Sequence, residues 1–228
     1  MSEPLLQLNY EDMLKAGMHF GRKKTVFNPK MKKYVFTVKE GVCIIDLLKT
    51  QAELGIATEY LKKVLASGGL VLFVAPTKQS VDSVKDLALS LGMPYVVNRW
   101  LGGTLTNFKI ISGRVKHLEE MERQKKAGEL DKYTKKERLL FEREIKKMDE
   151  NFGGLRKLTK MPDVVFVASL KDGALPVHEA TIMKVPVVAI TNTDSDPEDV
   201  KHVIPANDRS KKSVDLIVEA LKKDLTAK

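Results

Sequence analysis

The sequence predicts an α/β fold, a doubly wound sandwich with a parallel central sheet and an inserted antiparallel coiled-coil helical hairpin. Two observations predict the sandwich: short β-branched runs that are continuously apolar, and amphipathic helical patterns that alternate with them. A third observation predicts the hairpin. The charge-rich stretch from Lys109 to Lys160 has helical periodicity but no strand pattern.

The strands of the sheet are predicted by runs without the alternation of apolar and polar residues that a half-solvated strand shows. Such runs indicate central strands that are buried on both faces, as in a parallel sheet covered by helices. The predicted strands are Leu70–Val74, Tyr95–Val97, Val164–Val167 and Val187–Ile190.

The helices are predicted by apolar residues that recur every three or four positions. Gly68 and Gly69 mark the end of the first of these helices, and Pro176 suits the first turn of a later one. The predicted helices are Thr50–Ala66, Gln79–Leu91, Pro176–Met183 and Ser213–Leu225.

The hairpin is predicted from two apolar series that meet at Ala127-Gly128-Glu129, which would form a polar tip. The first series is Ile111, Val115 and Leu118, continued by polar Glu122 and Lys125; the second is Phe141, Ile145, Met148, Phe152 and Leu155. Two ordinary helices packed on the domain are the alternative. The predicted division is an α/β core domain of residues 1–108 and 159–228 with a hairpin insertion of residues 109–158.

Composition limits the class of partner. The chain has 228 residues, a net charge of +9 and a pI near 9.4, so it should attract nucleic acid, acidic proteins or anionic lipid. A membrane is disfavoured, because no apolar run approaches the roughly 20 residues that span a bilayer. The start of the chain has acidic residues and does not resemble a signal peptide, and Cys43 lies among apolar neighbours as a reduced core residue would. A cytoplasmic location is expected.

The basic stretch, residues 15–39, is the most informative segment. It contains eight Lys or Arg residues and no Asp or Glu. Like charges repel, and no carboxylate inside the stretch neutralises them, so a polyanionic partner is predicted. Aromatic rings lie between the cations and can stack on bases or pack on the core: His19, Phe20, Phe27, Tyr34 and Phe36. The stretch therefore predicts nucleic-acid binding.

Motifs for catalysis, nucleotides or metals are not found in the sequence. It contains no G-x-G-x-x-G after a strand, no P-loop and no nucleophile elbow. The histidines are far apart and pair with no cysteine, so no metal-ligand spacing is visible and no cofactor is predicted.

Two features keep a phosphate-binding α/β enzyme as a rival hypothesis. Gly102-Gly103-Thr104, expected to open the first hairpin helix, would offer free backbone N–H groups to a phosphate. The alternative is a tight turn beside Trp100, which is a structural pivot or a stacking platform. The acidic run Asp194, Asp196, Glu198 and Asp199 follows a strand, where α/β enzymes bind ligands. Turn formation and helix capping around Pro197 are the alternative for that run.

Several segments together resemble the bacterial form of the small-subunit ribosomal protein family conventionally numbered two. The most distinctive is Arg99–Phe108 (RWLGGTLTNF). The other segments occur in the family order: Gly17–Gly21, Phe27–Met31, Gly41–Leu47, Pro162–Val164, Pro186–Ile190 and Ile204–Asp208. Arg22 stands where the family usually has a second histidine and Phe27 where it has a tryptophan, and Ala75–Lys78 is one residue longer than usual. Arg22 keeps a positive charge and Phe27 keeps an aromatic ring, so the expectation of RNA contact is unchanged. A metal-binding role specific to the second histidine is not expected in this chain.

The resemblance implies a flavodoxin-like three-layer sandwich with a protruding coiled-coil hairpin, and a structural protein without catalysis, cofactor or small-molecule substrate. It also implies binding to small-subunit rRNA between the head and body of the subunit, a role in subunit assembly, and contact with neighbouring ribosomal proteins. Docking of ribosomal protein one would support translation initiation. The expected RNA contacts are His19, Arg22, Lys23, Lys24, Phe27, Lys30, Lys32, Lys33, Arg99, Arg114 and Lys116.

Overall fold

A computed structural model describes residues 8–128, 130 and 133–226. The helices are α1 (Tyr10–Lys15), α2 (Leu47–Ala66), α3 (Val81–Leu91), α4 (Phe108–Lys126), α5 (Lys135–Phe152), α6 (Ala174–Ile182) and α7 (Lys211–Thr226), with 3₁₀ turns at Lys24–Val26, Pro29–Tyr34 and Gly153–Leu155. The strands are β1 (Phe20–Lys23), β2 (Val35–Lys39), β3 (Val42–Ile45), β4 (Val71–Val74), β5 (Tyr95–Val96), β6 (Val164–Val167), β7 (Val187–Thr191) and β8 (His202–Pro205). Residues 1–7, on which the expectation about the start of the chain partly falls, and Glu129 of the predicted tip lie outside the described residues.

The main sheet is parallel, and its strand order is β5-β4-β6-β7-β8. Every residue of β4, β6 and β7 is buried, as their continuously apolar sequences predict. The α/β class and the positions of the four predicted strands are confirmed to within one residue at each end. The strand β8 was not predicted, because it begins at His202 and ends at Pro205. Proline is tolerated there because β8 lies at the edge of the sheet among the described strands.

Helices cover both faces of this sheet, which gives the three layers of a flavodoxin-like sandwich. Successive strand residues point to opposite faces, so Phe73 packs with α2, α3 and α7, whereas Leu72 and Val74 pack with α4 and α6. The helix predicted from Thr50 begins earlier, at Leu47, because the Asp46 side chain accepts a hydrogen bond from Leu48 N at 3.1 Å and caps it.

A second, antiparallel sheet of order β1-β3-β2 precedes the sandwich and was not predicted. The two residues between β2 and β3, Glu40 and Gly41, both have positive φ (51° and 75°), as a two-residue hairpin turn requires. The lysines in this part of the chain obscure the strand pattern, since β2 is exposed beyond Val35. Cys43 is buried in β3, as predicted, and burial raises the pKa of its thiol.

The helices α4 and α5 form the predicted helical region, but a regular coiled-coil seam is not evident. Ile111, Val115 and Leu118 of α4 are buried, whereas α5 has no buried residue within its described length. Glu122 forms two 2.7 Å hydrogen bonds with Arg156, which follows the far end of α5. Lys125 of α4 also pairs with Glu142 of α5 at 2.9 Å. The hairpin register and the 109–158 boundaries stay predictions.

A buried carboxylate fixes the loop that precedes α4. Glu179 of α6 is 4% exposed and accepts hydrogen bonds from the Trp100 indole N–H (3.0 Å) and from the backbone N–H groups of Gly103 (2.8 Å), Leu105 (2.9 Å) and Thr106 (3.2 Å). The expectation that Gly102-Gly103-Thr104 opens a helix is therefore wrong: α4 starts at Phe108, and Glu179 holds the preceding turns. Trp100 is half-buried in the same network and acts as a structural pivot.

Replacing Glu179 by Ala should destabilise the fold strongly, because four N–H donors lose their buried acceptor. We expect a loss of about 3–5 kcal/mol in the free energy of unfolding, and a smaller loss for Glu179→Gln, which keeps one carbonyl oxygen. The matched control Glu219→Gln changes an exposed residue of α7 and should stay within about 0.5 kcal/mol of the unmodified protein. Denaturant unfolding measures all three. Equal stabilities would contradict the role of Glu179.

Acidification should weaken this contribution. Burial alone would raise the pKa of Glu179, but the hydrogen bonds from Trp100, Leu105, Gly103 and Thr106 outweigh burial and lower the pKa below its ordinary value of 4.5. A carboxylate with a lowered pKa stabilises the folded state above its ordinary pKa and loses that effect as pH falls through the lowered value. The stability difference between the unmodified protein and Glu179→Gln should therefore shrink below about pH 4.5. A constant difference from neutral pH to about pH 3 would argue against this linkage.

Candidate nucleic-acid interface

The basic stretch is held on the sandwich by its apolar residues. Met31 and Tyr34 are 0% and 5% exposed and belong to the cluster on the α4 and α6 face of the main sheet, and Phe27 packs against that cluster. The Asn28 side chain accepts a hydrogen bond from Lys30 N at 3.0 Å and begins the Pro29–Tyr34 turn. Because these side chains face inward, the lysines between them face outward.

The loop after β7 attaches the basic stretch to the main domain through hydrogen bonds. Thr193 accepts hydrogen bonds from Asn28 N (2.9 Å, at its carbonyl) and from Arg22 N (2.8 Å, at its hydroxyl). Gly21 lies so close that a Cβ would stand 2.7 Å from the Thr193 methyl and 2.8 Å from the Cys43 carbonyl. A side chain at residue 21 would therefore separate the stretch from the main domain.

The acidic loop, residues 194–198, neutralises part of the basic stretch. Asp194 has a side chain 3% exposed and lies 3.4 Å from Arg22 Nε and 2.7 Å from Lys171 Nζ. Lys30 Nζ contacts Asp196 at 2.7 Å and also contacts Glu198. These hydrogen bonds raise the pKa of Lys30 above its ordinary value. The turn role predicted for the acidic run is also present, since Asp196 accepts a hydrogen bond from Glu198 N at 3.1 Å.

Five cations of the stretch, Lys39 and four of the predicted phosphate contacts, form no ion pair with a carboxylate among the described residues. Lys23, Lys24, Lys32 and Lys33 are exposed, and no ion pair joins any of them to an acidic residue in the part of the chain that the structure describes. Lys33 Nζ lies 4.7 Å from the centroid of the Tyr34 ring. These four predicted phosphate contacts are therefore exposed and available to a polyanion.

The aromatic members of the stretch divide into core and surface rings. The His19 ring is half-buried, 4.0 Å from the Phe20 ring centroid, and burial lowers the pKa of His19, which favours the neutral imidazole. Phe27 is half-buried against the core. Phe36 is 75% exposed and offers the more accessible ring for stacking. No cluster of three or more potential metal ligands occurs among the described residues.

The remaining predicted contacts lie on other elements. Arg99 is exposed and borders a cleft beside Trp100, Pro76 and Asp172 at the carboxyl end of β4. Arg114 and Lys116 are exposed on α4, where Arg114 lines a groove with Arg143, Lys147 and Phe152 of α5. No hydrogen bond or ion pair joins these three cations to the basic stretch among the described residues.

The main groups that the rival enzyme hypothesis assigned to a ligand are bound by other groups of the same chain. The backbone N–H group of Gly103, which it assigned to a phosphate, donates to Glu179. The carboxylates that it assigned to a ligand, Asp194 and Asp196, are paired with cations of the chain itself. Among the described residues, no helix combines the length and the hydrophobicity needed to span a bilayer.

Sequence reasoning did not find Glu179 or Thr193 as supporting residues. Glu179 is one charged residue in a short helix, and its acceptor role depends on a loop 73 to 79 residues earlier. Thr193 lies 171 residues from its partner Arg22. The one available signal was a carboxylate inside a mostly apolar helix, because a buried carboxylate must be hydrogen-bonded.

Comparison with known proteins is consistent with this geometry. The family model described as ribosomal protein S2 matches residues 13–227. A small ribosomal subunit protein uS2 from Arthrobacter sp. is 43% identical over 212 residues, which are 92% of this chain and 71% of that protein. A protein of the same name from Fusobacterium nucleatum subsp. nucleatum is 41% identical over 215 residues, 94% of this chain and 87% of that protein. As its motifs predict, the chain belongs to the ribosomal protein S2 family, whose members are structural proteins and not enzymes.

Proposed function

We propose that the protein is a structural constituent of the small ribosomal subunit that binds small-subunit rRNA through the basic stretch. The observation that carries this proposal is that the lysines at residues 23, 24, 32 and 33 are exposed and form no ion pair with a described residue. Phosphate groups neutralise such a surface and release counterions on binding. The names of the two relatives and the family membership support a place in the small subunit.

The other cations contribute in ways that their surroundings indicate. Arg22 is paired with the buried carboxylate of Asp194, and this pair holds the basic stretch in position to contact an RNA phosphate. Lys30 is exposed and contacts phosphate after leaving its carboxylates. His19 and Phe27 support the backbone near the RNA. Arg99, Arg114 and Lys116 provide a second set of RNA contacts around the base of the helical region.

The finer functions follow from the family resemblance. The protein lies between the head and body of the subunit, supports subunit assembly, and helps to dock ribosomal protein one for translation initiation. It works in the cytoplasm as part of the ribosome, without a small-molecule substrate. The helical region of residues 109–158 is proposed as an insertion that contacts neighbouring ribosomal components, which its many exposed charged residues suit.

Replacement of Lys23, Lys24, Lys32 and Lys33 together by Ala should weaken rRNA binding and flatten its dependence on salt. Each lost phosphate contact removes about 0.7–0.9 from the slope of log K against log salt, so the slope should fall by about three. Filter binding at several salt concentrations measures it.

A control variant removes the same charge elsewhere. Lys62, Lys85, Lys212 and Lys223 are exposed on α2, α3 and α7, and their replacement by Ala should leave the slope nearly unchanged. If the two variants have the same slope, the assignment of the basic stretch is wrong.

The protein in a cell lysate should co-sediment with small subunits in a sucrose gradient at low salt and leave them at high salt. Electrostatic phosphate contacts predict this release, because added salt opposes counterion release. Protein that remains at the top of a low-salt gradient, or that follows large subunits, would contradict the proposed place in the ribosome.

A further inference from the structure

The ammonium group of Lys30, a predicted RNA contact, is bound by carboxylates of the acidic loop. The Lys30 ammonium group contacts two carboxylates, Asp196 and Glu198, from a segment 166 and 168 residues later in the chain. The lysines beside it in sequence, Lys32 and Lys33, have no such partner among the described residues. The basic stretch is therefore partly covered by anionic groups of the same chain.

We propose that Asp196 and Glu198 act as an internal substitute for RNA phosphate, which occupies Lys30 in the free protein and is displaced when RNA binds. This inference rests on the proposed function, because it concerns the regulation of the same RNA-binding surface. The contact lowers the affinity of the surface for any polyanion. RNA that offers many phosphates to the neighbouring lysines overcomes the competition, and weakly bound RNA does not.

Exposure distinguishes this exchangeable pair from the permanent one beside it. The side chains of Lys30, Asp196 and Glu198 are 47%, 51% and 72% exposed. Exposed ion pairs contribute little to stability, so Lys30 leaves its carboxylates at small cost. Asp194, by contrast, is 3% exposed between Arg22 and Lys171, and breaking that pair would leave a buried charge. Lys30 can therefore change partners while Arg22 keeps the stretch in place.

The carboxylates are positioned before RNA arrives. Asp196 is held by the hydrogen bond from Glu198 N, and Lys30 is held by the Asn28 side chain at its own backbone N–H. The backbone contact between Asn28 and Thr193 brings the two segments together. A phosphate that reaches Lys30 must replace carboxylate oxygens that already satisfy the ammonium group, and it is repelled by them as it approaches.

The test compares Asp196→Asn with Glu198→Gln in one variant against a control with the same change of charge. Asn at residue 196 keeps the oxygen that accepts from Glu198 N, so the turn should be preserved. The control combines Glu59→Gln and Asp82→Asn, two exposed acids of α2 and α3 that pair with Lys63 and Lys211. The probes are poly(U) and purified small-subunit rRNA, measured by filter binding over a series of salt concentrations.

Removal of the two loop charges should raise the affinity for both probes about threefold to tenfold above that of the control variant. The salt slope should steepen by about 0.7, since Lys30 becomes available for one more phosphate. Adding Lys30→Met to the loop variant should abolish this increase, because the freed ammonium group is then missing. Those results support the proposal.

Other outcomes overturn it. An acidic-loop variant that binds no more tightly than the control shows that the carboxylates do not compete with RNA. An increase that persists after Lys30→Met shows that they act on another cation. In both cases the unmodified protein still binds rRNA in a salt-dependent way, so the proposed function stands. If the unmodified protein does not bind rRNA, both proposals fail together.

Discussion

The attachment of the basic stretch to the end of β7 is the constraint on which the RNA-binding surface depends. The stretch repels itself electrostatically, yet it adopts a defined path because Thr193 accepts two hydrogen bonds from it and Asp194 neutralises Arg22. Buried Met31 and Tyr34 add apolar contacts from the same segment. Inward anchors three or four residues apart leave the lysines between them outside, so the same segment supplies both the attachment and exposed cations. Without the loop after β7, the sequence would still be basic but would present no fixed surface.

Internal carboxylates bind the chain's own donors in two regions where α/β enzymes often bind a substrate. The carboxyl ends of parallel strands and the turns before helices are common ligand sites. Here Glu179 occupies the N–H groups around Gly103, and the acidic loop binds Arg22, Lys30 and Lys171. Among the described residues, both polar regions therefore bind groups of the same chain. The exposed cations of the basic stretch remain available to a partner.

The sequence was informative where local pattern decides structure and less so where distant residues meet. The strands β4, β6 and β7 and the helices α3 and α7 were predictable because burial on both faces, or on one stripe, leaves a clear periodicity. The strands β8, β1 and β2 were missed, because edge strands with His202, Pro205 or several lysines need no apolar run. The central strand β3 is apolar but only four residues long, and it was interpreted only as the surroundings of Cys43. The acidic loop was noticed but not connected with Lys30, since no local rule joins residues 166 positions apart. The exposed lysines were found from composition, whereas their separation from Arg22 and Lys30 needed the structure.

Lysine reactivity tests the central claim most directly. Reductive methylation followed by mass spectrometry would compare the free protein with the protein in purified small subunits. The account predicts that Lys23, Lys24, Lys32 and Lys33 react readily in the free protein, as their exposure requires, and become protected in the subunit. Lys30 should be less reactive than these four in the free protein, because its ammonium group is paired with Asp196 and Glu198. Equal labelling of the four lysines in the free and subunit-bound protein would contradict the assignment of this surface to rRNA.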